Sequence, residues 1–409
     1  MKKIFVSILI NIVIFSVSAF GAESLNMPAK LALASAHNTE GTDFWLCFET
    51  NYKEDKLRSK DGDGGLFLEL FISGDEETTV KIEIAGLDYV QEFSVPAGSV
   101  KNIKLPSNAQ IRSSEVAERL AVHVTSEKPI TVYGLNRRVL TTDTFIGIPT
   151  KELGTDYRVM CYHISDGLTS QFAIVATEDS TVVFITPKVK TRAHMVGKTF
   201  MIKLNRGDVY QVIAENDFMS KCDLTGSRIQ SNKKIAVFSG HQCAYVTSFP
   251  QISACNHLVE QMPPTASWGK HFYLGKLKDR SYYTFRVLAN ERNTKIFMDA
   301  KYLRALDSGE YYEGKSKSNL QITADKPILV AQYSQGYLNG DSIGDPMMIL
   351  VSPTQQFLMK YRFATPIKGY WKHYVNVVVP REGISSLRMD GEPVNTERFE
   401  QLGLSRYRI

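Results

Sequence analysis

His241, Cys243, Cys255 and His257 place two imidazoles and two thiols within seventeen residues. Zinc accepts such donors. Their spacing, however, is that of neither a finger nor a ribbon, and in an exported chain a thiol pair this close reads as a disulfide. Cys243 and Cys255 lie twelve residues apart at the ends of one loop. Closing a loop that short stabilises by roughly 3 kcal/mol in the chain-entropy picture. The sequence therefore assigns Cys243–Cys255 to a disulfide and no residue to a metal or cofactor. A cysteine nucleophile with His257 as base would also need oxyanion donors, and no Gly-rich turn or nucleophile elbow supplies them. No catalytic residue is assigned. Glu260 and Gln261 stand beside Pro263 and Pro264. They suit backbone hydrogen bonds that pin a connector better than acid–base work. What remains chemically distinctive is a loop, Gly240 to Pro264, carrying His241, Gln242, Asn256, His257, Glu260 and Gln261 as candidate binding residues.

Other motifs read as ordinary structure. Asp61-Gly62-Asp63-Gly64-Gly65 is a fragment of a calcium loop without the later ligands, and it runs straight into Leu66-Phe67-Leu68. Asp341 and Asp345 are a weaker version of the same pattern. Arg206-Gly207-Asp208 is an adhesion tripeptide by letter. Gly207, however, matches Gly98 and Gly309, each three residues after an apolar residue (Val95, Leu204 and Leu306), so a turn needing positive φ explains it. Paired aromatics (Tyr282-Tyr283, Tyr311-Tyr312, Tyr370-Trp371) fit strands with one ring in the core and its neighbour outside.

These residues need a scaffold. The 409 residues are 43% hydrophobic and 22% charged, the composition of a folded chain long enough for several domains. A formal net charge of +5 with no basic block gives no footprint for nucleic acid. Lys2 and Lys3, the apolar run Ile4 to Val17, and Ala19-Phe20-Gly21 form a secretory signal over residues 1–22, followed by a leader over 23–40. No later run is long enough to span a bilayer. The expectation is a chain exported to the cell surface, the medium or the periplasm. Of the other cysteines, Cys47 and Cys161 fall at similar places in the repeats described next. They are either buried thiols or a bridge between repeats, and Cys222 has no obvious partner.

Short alternating runs divided by Gly, Pro, Asn and Asp dominate, and convincing long helices are absent. A hairpin pattern recurs at 67–84, 172–185, 283–298 and 374–389. A second, with Lys beside its turn, recurs at 122–134, 228–240 and 320–334. A proline is followed eight residues later by an aromatic three times: Pro149 and Tyr157, Pro264 and Phe272, Pro353 and Tyr361. The interval predicts a rigid connector ending each unit. The units are 41–153, 154–268, 269–358 and a partial 359–409. The fold class is all-β, as tandem antiparallel sandwich-like units. A propeller-like array of about 50-residue blades is the alternative.

Residues 224–246, the run Cys255-Asn256-His257 through Trp268-Gly269, Gly41 to Trp45, 152–159 and 172–184 together resemble the N-terminal domain of the IgGFc-binding protein family. The resemblance spans roughly 41–409. It implies an extracellular, non-catalytic binding module, here of bacterial type, whose partner is an extracellular protein or glycoprotein; it transfers no residue-level site. A structural β array is the second reading and a secreted hydrolase the third.

Overall fold

The computed structural model describes residues 39–52, 65–138, 141–163, 167–216, 222–246, 255–336, 344–364, 372–402, 405 and 407–409, and the backbone of Ser7–Ile12 as a strand beside Lys372–Val377. Asp61 to Gly64, Asp341, Tyr370 and Trp371 lie outside the described residues, as does most of the signal and leader.

Three antiparallel sheets follow one another along the chain, of seven, eight and seven strands, and share one plan. Each is built on a long strand: Val122–Arg137, Arg228–Ala244 or Leu320–Ser334. Its first half pairs with an entry strand (Gly41–Leu46, Gly154–Arg158 or Gly269–Leu274) and with the second strand of a hairpin. Its second half pairs with the first strand of that hairpin (Phe67–Gly74, Ser170–Ala176 or Tyr283–Ala289). There it also pairs with an exit strand (Thr142–Ile146, Asn256–Gln261 or Met347–Leu350). The sheets curl into half-barrels. Sheets of this size are not the four-stranded blades of a propeller, so that alternative is set aside.

The expected second hairpin is instead this one long strand. Around Lys128 the register against the entry strand jumps, from Asp43 opposite Thr125 to Gly41 opposite Ile130. The intervening polar residues bulge, and the Ser126 hydroxyl donates to the Lys128 carbonyl at 2.7 Å. Ser231 does the same to Lys233 at 2.6 Å. Alternation on both sides of a polar tetrapeptide looks the same for a tight turn and for a bulge that bends a continuing strand. The bend lets each half of the strand serve a different part of the curled sheet.

The proline interval has a repeated geometry. After Pro149, Pro264 and Pro353 the chain makes a single 3-10 turn: Thr150–Glu152, Thr265–Ser267 and Thr354–Gln356. The proline carbonyl accepts from Glu152, Ser267 and Gln356 in turn, at 2.9–3.0 Å. Eight residues on, the Tyr157 hydroxyl accepts from the Gly154 amide and donates to the Ile235 carbonyl. Tyr361 accepts likewise from Leu358. Gly98, Gly207 and Gly309 all have positive φ. In the Arg206-Gly207-Asp208 triplet, Asp208 accepts from the Asn205 amide and Arg206 lies over the Trp45 ring, so both charged side chains serve local structure.

Alternate strand residues fill three main cores, and the first two cross sheet boundaries. The first takes in Ala173, Val175 and Phe238 of the second sheet, and the second takes in Leu329, Ala331 and Tyr333 of the third. The hairpin expected at 374–389 does not form. A 3-10 helix, Arg381–Ser386, occupies its middle, and Pro380 before it offers no amide to a ladder. Among the described residues beyond it no long strand supplies the template that holds the other hairpins.

Candidate binding site at the junction of the sheets

The exit strands meet, with Asn256–Gln261 of the second sheet lying between those of the first and third. Asn256 fastens both sides. Its Oδ1 accepts from the Thr142 amide at 2.6 Å, and its Nδ2 donates to the carbonyls of Thr142 (2.6 Å) and Pro346 (2.8 Å). Gln261 Oε1 accepts from the Ile148 amide at 2.7 Å, and Glu260 Oε1 from the Leu350 amide at 3.3 Å. In the other direction Asp143 Oδ2 accepts from the Val259 amide at 3.1 Å and Oδ1 from Thr144 at 2.9 Å.

Beside these bonds is a cleft of about 230 Å³, partly open to solvent. All three exit strands and connectors contribute to its wall, and Tyr361 to Ala364 lie against it. Its surface is mainly apolar and aromatic, with Tyr133, Phe145, Trp268, Met348, Leu350 and Phe363 among the lining residues. Glu260 and Asp143 supply the acid groups. Burial first, then the neighbouring Asp143 charge, pushes the Glu260 carboxyl well above the usual range, against one backbone donor, Leu350. Burial pushes Asp143 up as well, while amides of Thr144, Val259 and Met348 pull it back. Burial and the Glu260 charge raise the Tyr133 phenol. Low dielectric disfavours the charged form of each group.

The structure brings the sequence-derived candidates together but turns most of them inward. His241, Asn256 and His257 are fully buried, and Gln261 is 3% exposed. His257 Nδ1 donates to the His241 carbonyl at 3.0 Å and its Nε2 lies 3.4 Å from the Asn136 amide nitrogen. His241 Nδ1 accepts from the Cys243 amide at 3.1 Å. Burial depresses both imidazoles, His241 to about 3 and His257 to about 4, so both are neutral at pH 7. Glu260 and Gln242 are half-buried. The Gln242 amide donates to the Thr169 carbonyl at 3.3 Å. Cys243 and Cys255 form a disulfide. Cys47 and Cys161, left open between thiols and a bridge, are separate buried thiols, and Cys222 is also outside any disulfide. Among the described residues no group of three or more His, Cys, Asp or Glu side chains could hold a metal.

Two important residues escaped the sequence reading. Asp143 stands six residues before Pro149, where the other repeats have Leu258 and Met347. A lone acid at an otherwise apolar repeat position is the signal that would have found it. Arg286 interrupts an apolar strand and is fully buried. It pairs with Asp223 and Glu313, each at 2.8 Å, and donates to the Cys161 carbonyl. The rings of Tyr162 and Tyr311 flank its guanidinium at 4.4 and 4.5 Å.

A family model described as IgGFc binding protein matches residues 143–408, from Asp143 to the last residues of the chain. The chain belongs to the IgGFc-binding family. The matched region includes Asp143, Asn256, Glu260 and Gln261, and begins one residue after Thr142. The human IgGFc-binding protein is 25% identical over 372 residues, covering 88% of this chain but only 6% of that protein's length. An anti-sigma factor domain-containing protein is 10% identical with a TM-score of 0.14, covering 77% of this chain and 84% of its own. A bacterial ice-binding adhesin structure is 4% identical with a TM-score of 0.12, covering 72% and 91%. Likenesses at such scores carry no argument. Among the described residues no helix is long and apolar enough to cross a membrane.

Proposed function

We propose that the chain is an exported, non-catalytic module that recognises an extracellular protein or glycoprotein through loops at the junction of its sheets. Repeat units at 41–153, 154–268 and 269–358, with a partial unit at 359–409, form the scaffold. The observation that carries the reading is the family match over residues 143–408. The name of the human relative states a binding activity toward the Fc part of immunoglobulin G, and a secretory signal at residues 1–22 fits export.

The geometry suggests a division of labour. Asn256 binds Thr142 and Pro346, which brings together the starts of the three exit strands and so the mouths of the loops that enter them. Loops on a rigid sheet can vary without cost to the core. His241, Asn256, His257, Glu260 and Gln261 act from beneath as positioning residues. Gln242, half-buried, is taken as the candidate contact residue, and the Cys243–Cys255 disulfide holds the loop ends.

The test is capture by the mature chain, residues 22–409, of immunoglobulin G and of mucin-type glycans, run oxidised and reduced. The reading expects capture of one bait class, lost on reduction and weakened by Gln242→Ala with the fold intact. A folded β protein that captures neither bait in either state would overturn it in favour of a structural array.

A further inference from the structure

We infer that the loop at residues 187–199, with the strands on either side of it, docks on an anionic lipid membrane. Met195 and Val196 enter the headgroup boundary, while Arg192, Lys198 and Lys203 meet the lipid phosphates. The inference does not rest on the partner recognised at the sheet junction, because no residue of this hairpin lines the cleft there.

The loop is an insertion peculiar to the second sheet. Thirteen residues, 187–199, join the hairpin strands Thr181–Thr186 and Phe200–Leu204. The matching strands are joined by four residues in the first sheet, 85–88, and by two in the third, 299–300. The added chain is held in one shape. The Gly197 amide donates to the Pro187 carbonyl at 2.8 Å and the Thr191 amide to the His194 carbonyl at 2.9 Å. Glu115, from the first unit, accepts from the Thr191 hydroxyl at 2.6 Å and from the Ala193 amide at 2.8 Å. The His194 ring stacks on Phe200.

This fixed loop displays apolar side chains. The Lys198 amide donates to the Met195 carbonyl at 3.2 Å, which closes a tight turn with Val196 and Gly197 at its corners. Gly197 has φ 68°, the left-handed value such a corner needs. Corners that face water are usually Gly, Pro, Asn, Asp or Ser. Here Val196 is 55% exposed and Met195 60%. A Cβ on Gly197 would meet nothing within 4 Å, so the tip projects. Behind it Phe184 and Met201 stand opposite each other across the two strands, and both are exposed. Single exposed apolar residues need no explanation, but four on one hairpin form a patch.

Charge decides what the patch fits. Residues 187–203 hold five Lys or Arg and no Asp or Glu. Lys190 pairs with Glu215. Lys188, Arg192, Lys198 and Lys203 are exposed, and among the described residues none of them is in an ion pair. The nearby acids are occupied. The Glu115 side chain is only 5% exposed beneath the loop, and Asp156, in the row of Phe184, is paired with Arg228. A projecting apolar tip ringed by unpaired cations complements a surface that is negative outside and apolar beneath. A polysaccharide asks instead for flat rings and hydrogen-bonding side chains, and this tip offers a thioether and an isopropyl group.

The test is sedimentation of the mature chain, residues 22–409, with phosphatidylcholine vesicles, with and without phosphatidylglycerol, and heparin as a soluble comparator. Binding should be about tenfold stronger or more with phosphatidylglycerol present, and should fall as salt rises. Met195→Ser with Val196→Ser should weaken it by about tenfold or more. Arg192→Glu with Lys198→Glu should do the same, by about tenfold. Val90→Ser with Lys101→Glu, at exposed positions of the first sheet, should leave it unchanged. A polarity-sensitive dye on Val196→Cys should shift to the blue on anionic vesicles; Cys47, Cys161 and Cys222 are buried and spared the label. Absence of sedimentation with either vesicle, equal sedimentation with both, or undiminished binding by a folded Met195→Ser, Val196→Ser variant would each overturn the inference. Heparin binding without vesicle binding would also overturn it and assign the surface to an anionic polysaccharide.

Discussion

Between the first and second sheets the buried polar contacts are chiefly those of side-chain amides, with a carboxyl among them where Asp143 accepts from the Val259 amide. Gln171 donates to the Thr50 carbonyl, Gln211 exchanges hydrogen bonds with Thr50, and Asn256 clasps Thr142. Between the second and third sheets the centre is a charge, the guanidinium of Arg286 held by Asp223, Glu313 and two tyrosine rings. Both seams sit within continuous apolar cores, so burial provides most of the adhesion at each. The polar groups fix register, and they do so with different vulnerabilities. A seam of amides weakens in small steps when one bond is lost. A seam around a buried ion fails abruptly, because removing either partner strands a charge away from water.

The largest expected effect breaks the charged seam. Arg286→Met leaves Asp223 buried without its counter-ion, so urea unfolding should show a loss of about 3–5 kcal/mol. Adding Asp223→Leu should recover part of it, which would separate the stranded charge from lost packing. Second in size is the loop at the amide seam. Cys243→Ser with Cys255→Ser should cost roughly 3 kcal/mol by freeing that loop in the unfolded chain.

Asn256→Ala leaves the Thr142 amide and the Pro346 carbonyl buried and unpaired, and should cost about 1–3 kcal/mol in the same assay. Acid sharpens the contrast further. His241 and His257 are depressed in the folded chain to about 3 and about 4, from an ordinary value of 6.5. Between those limits the unfolded chain binds more protons, so stability rises with pH there. The contribution is present in full above pH 6.5 and is lost as pH falls toward 4 and then 3. His257→Gln should flatten the stability profile across that window, measured by urea unfolding at a series of pH values. The smallest effect belongs to Arg228→Ala. Its pair with Asp156 is partly exposed, and the change should cost under about 1 kcal/mol.

Much of the scaffold was legible because it depends on backbone rules that few residues satisfy. The turn glycines, the proline connectors and the Cys243–Cys255 pair each follow from local geometry. The long central strands were not legible as single strands, since alternation does not distinguish a bulge from a turn at Ser126 to Pro129. The site was half legible. The stretch holding Asn256, Glu260 and Gln261 stood out by its side chains. Its inward direction did not, because that depends on what Thr142, Ile148, Pro346 and Leu350 present from distant parts of the chain. The cleft needs all three repeats assembled, and no single stretch encodes it.

With these two seams intact the three sheets should unfold as one cooperative body. The most direct measurement is urea unfolding of the mature chain followed in parallel by far-UV circular dichroism and tryptophan fluorescence, with Trp45 in the first sheet and Trp268 at the second connector as reporters. Coincident single transitions are expected, and a split between the probes in Asn256→Ala with Gln261→Ala, where the amide seam is cut. Separate transitions in the unmodified chain, or coincident ones in the double variant with no loss of stability, would contradict it.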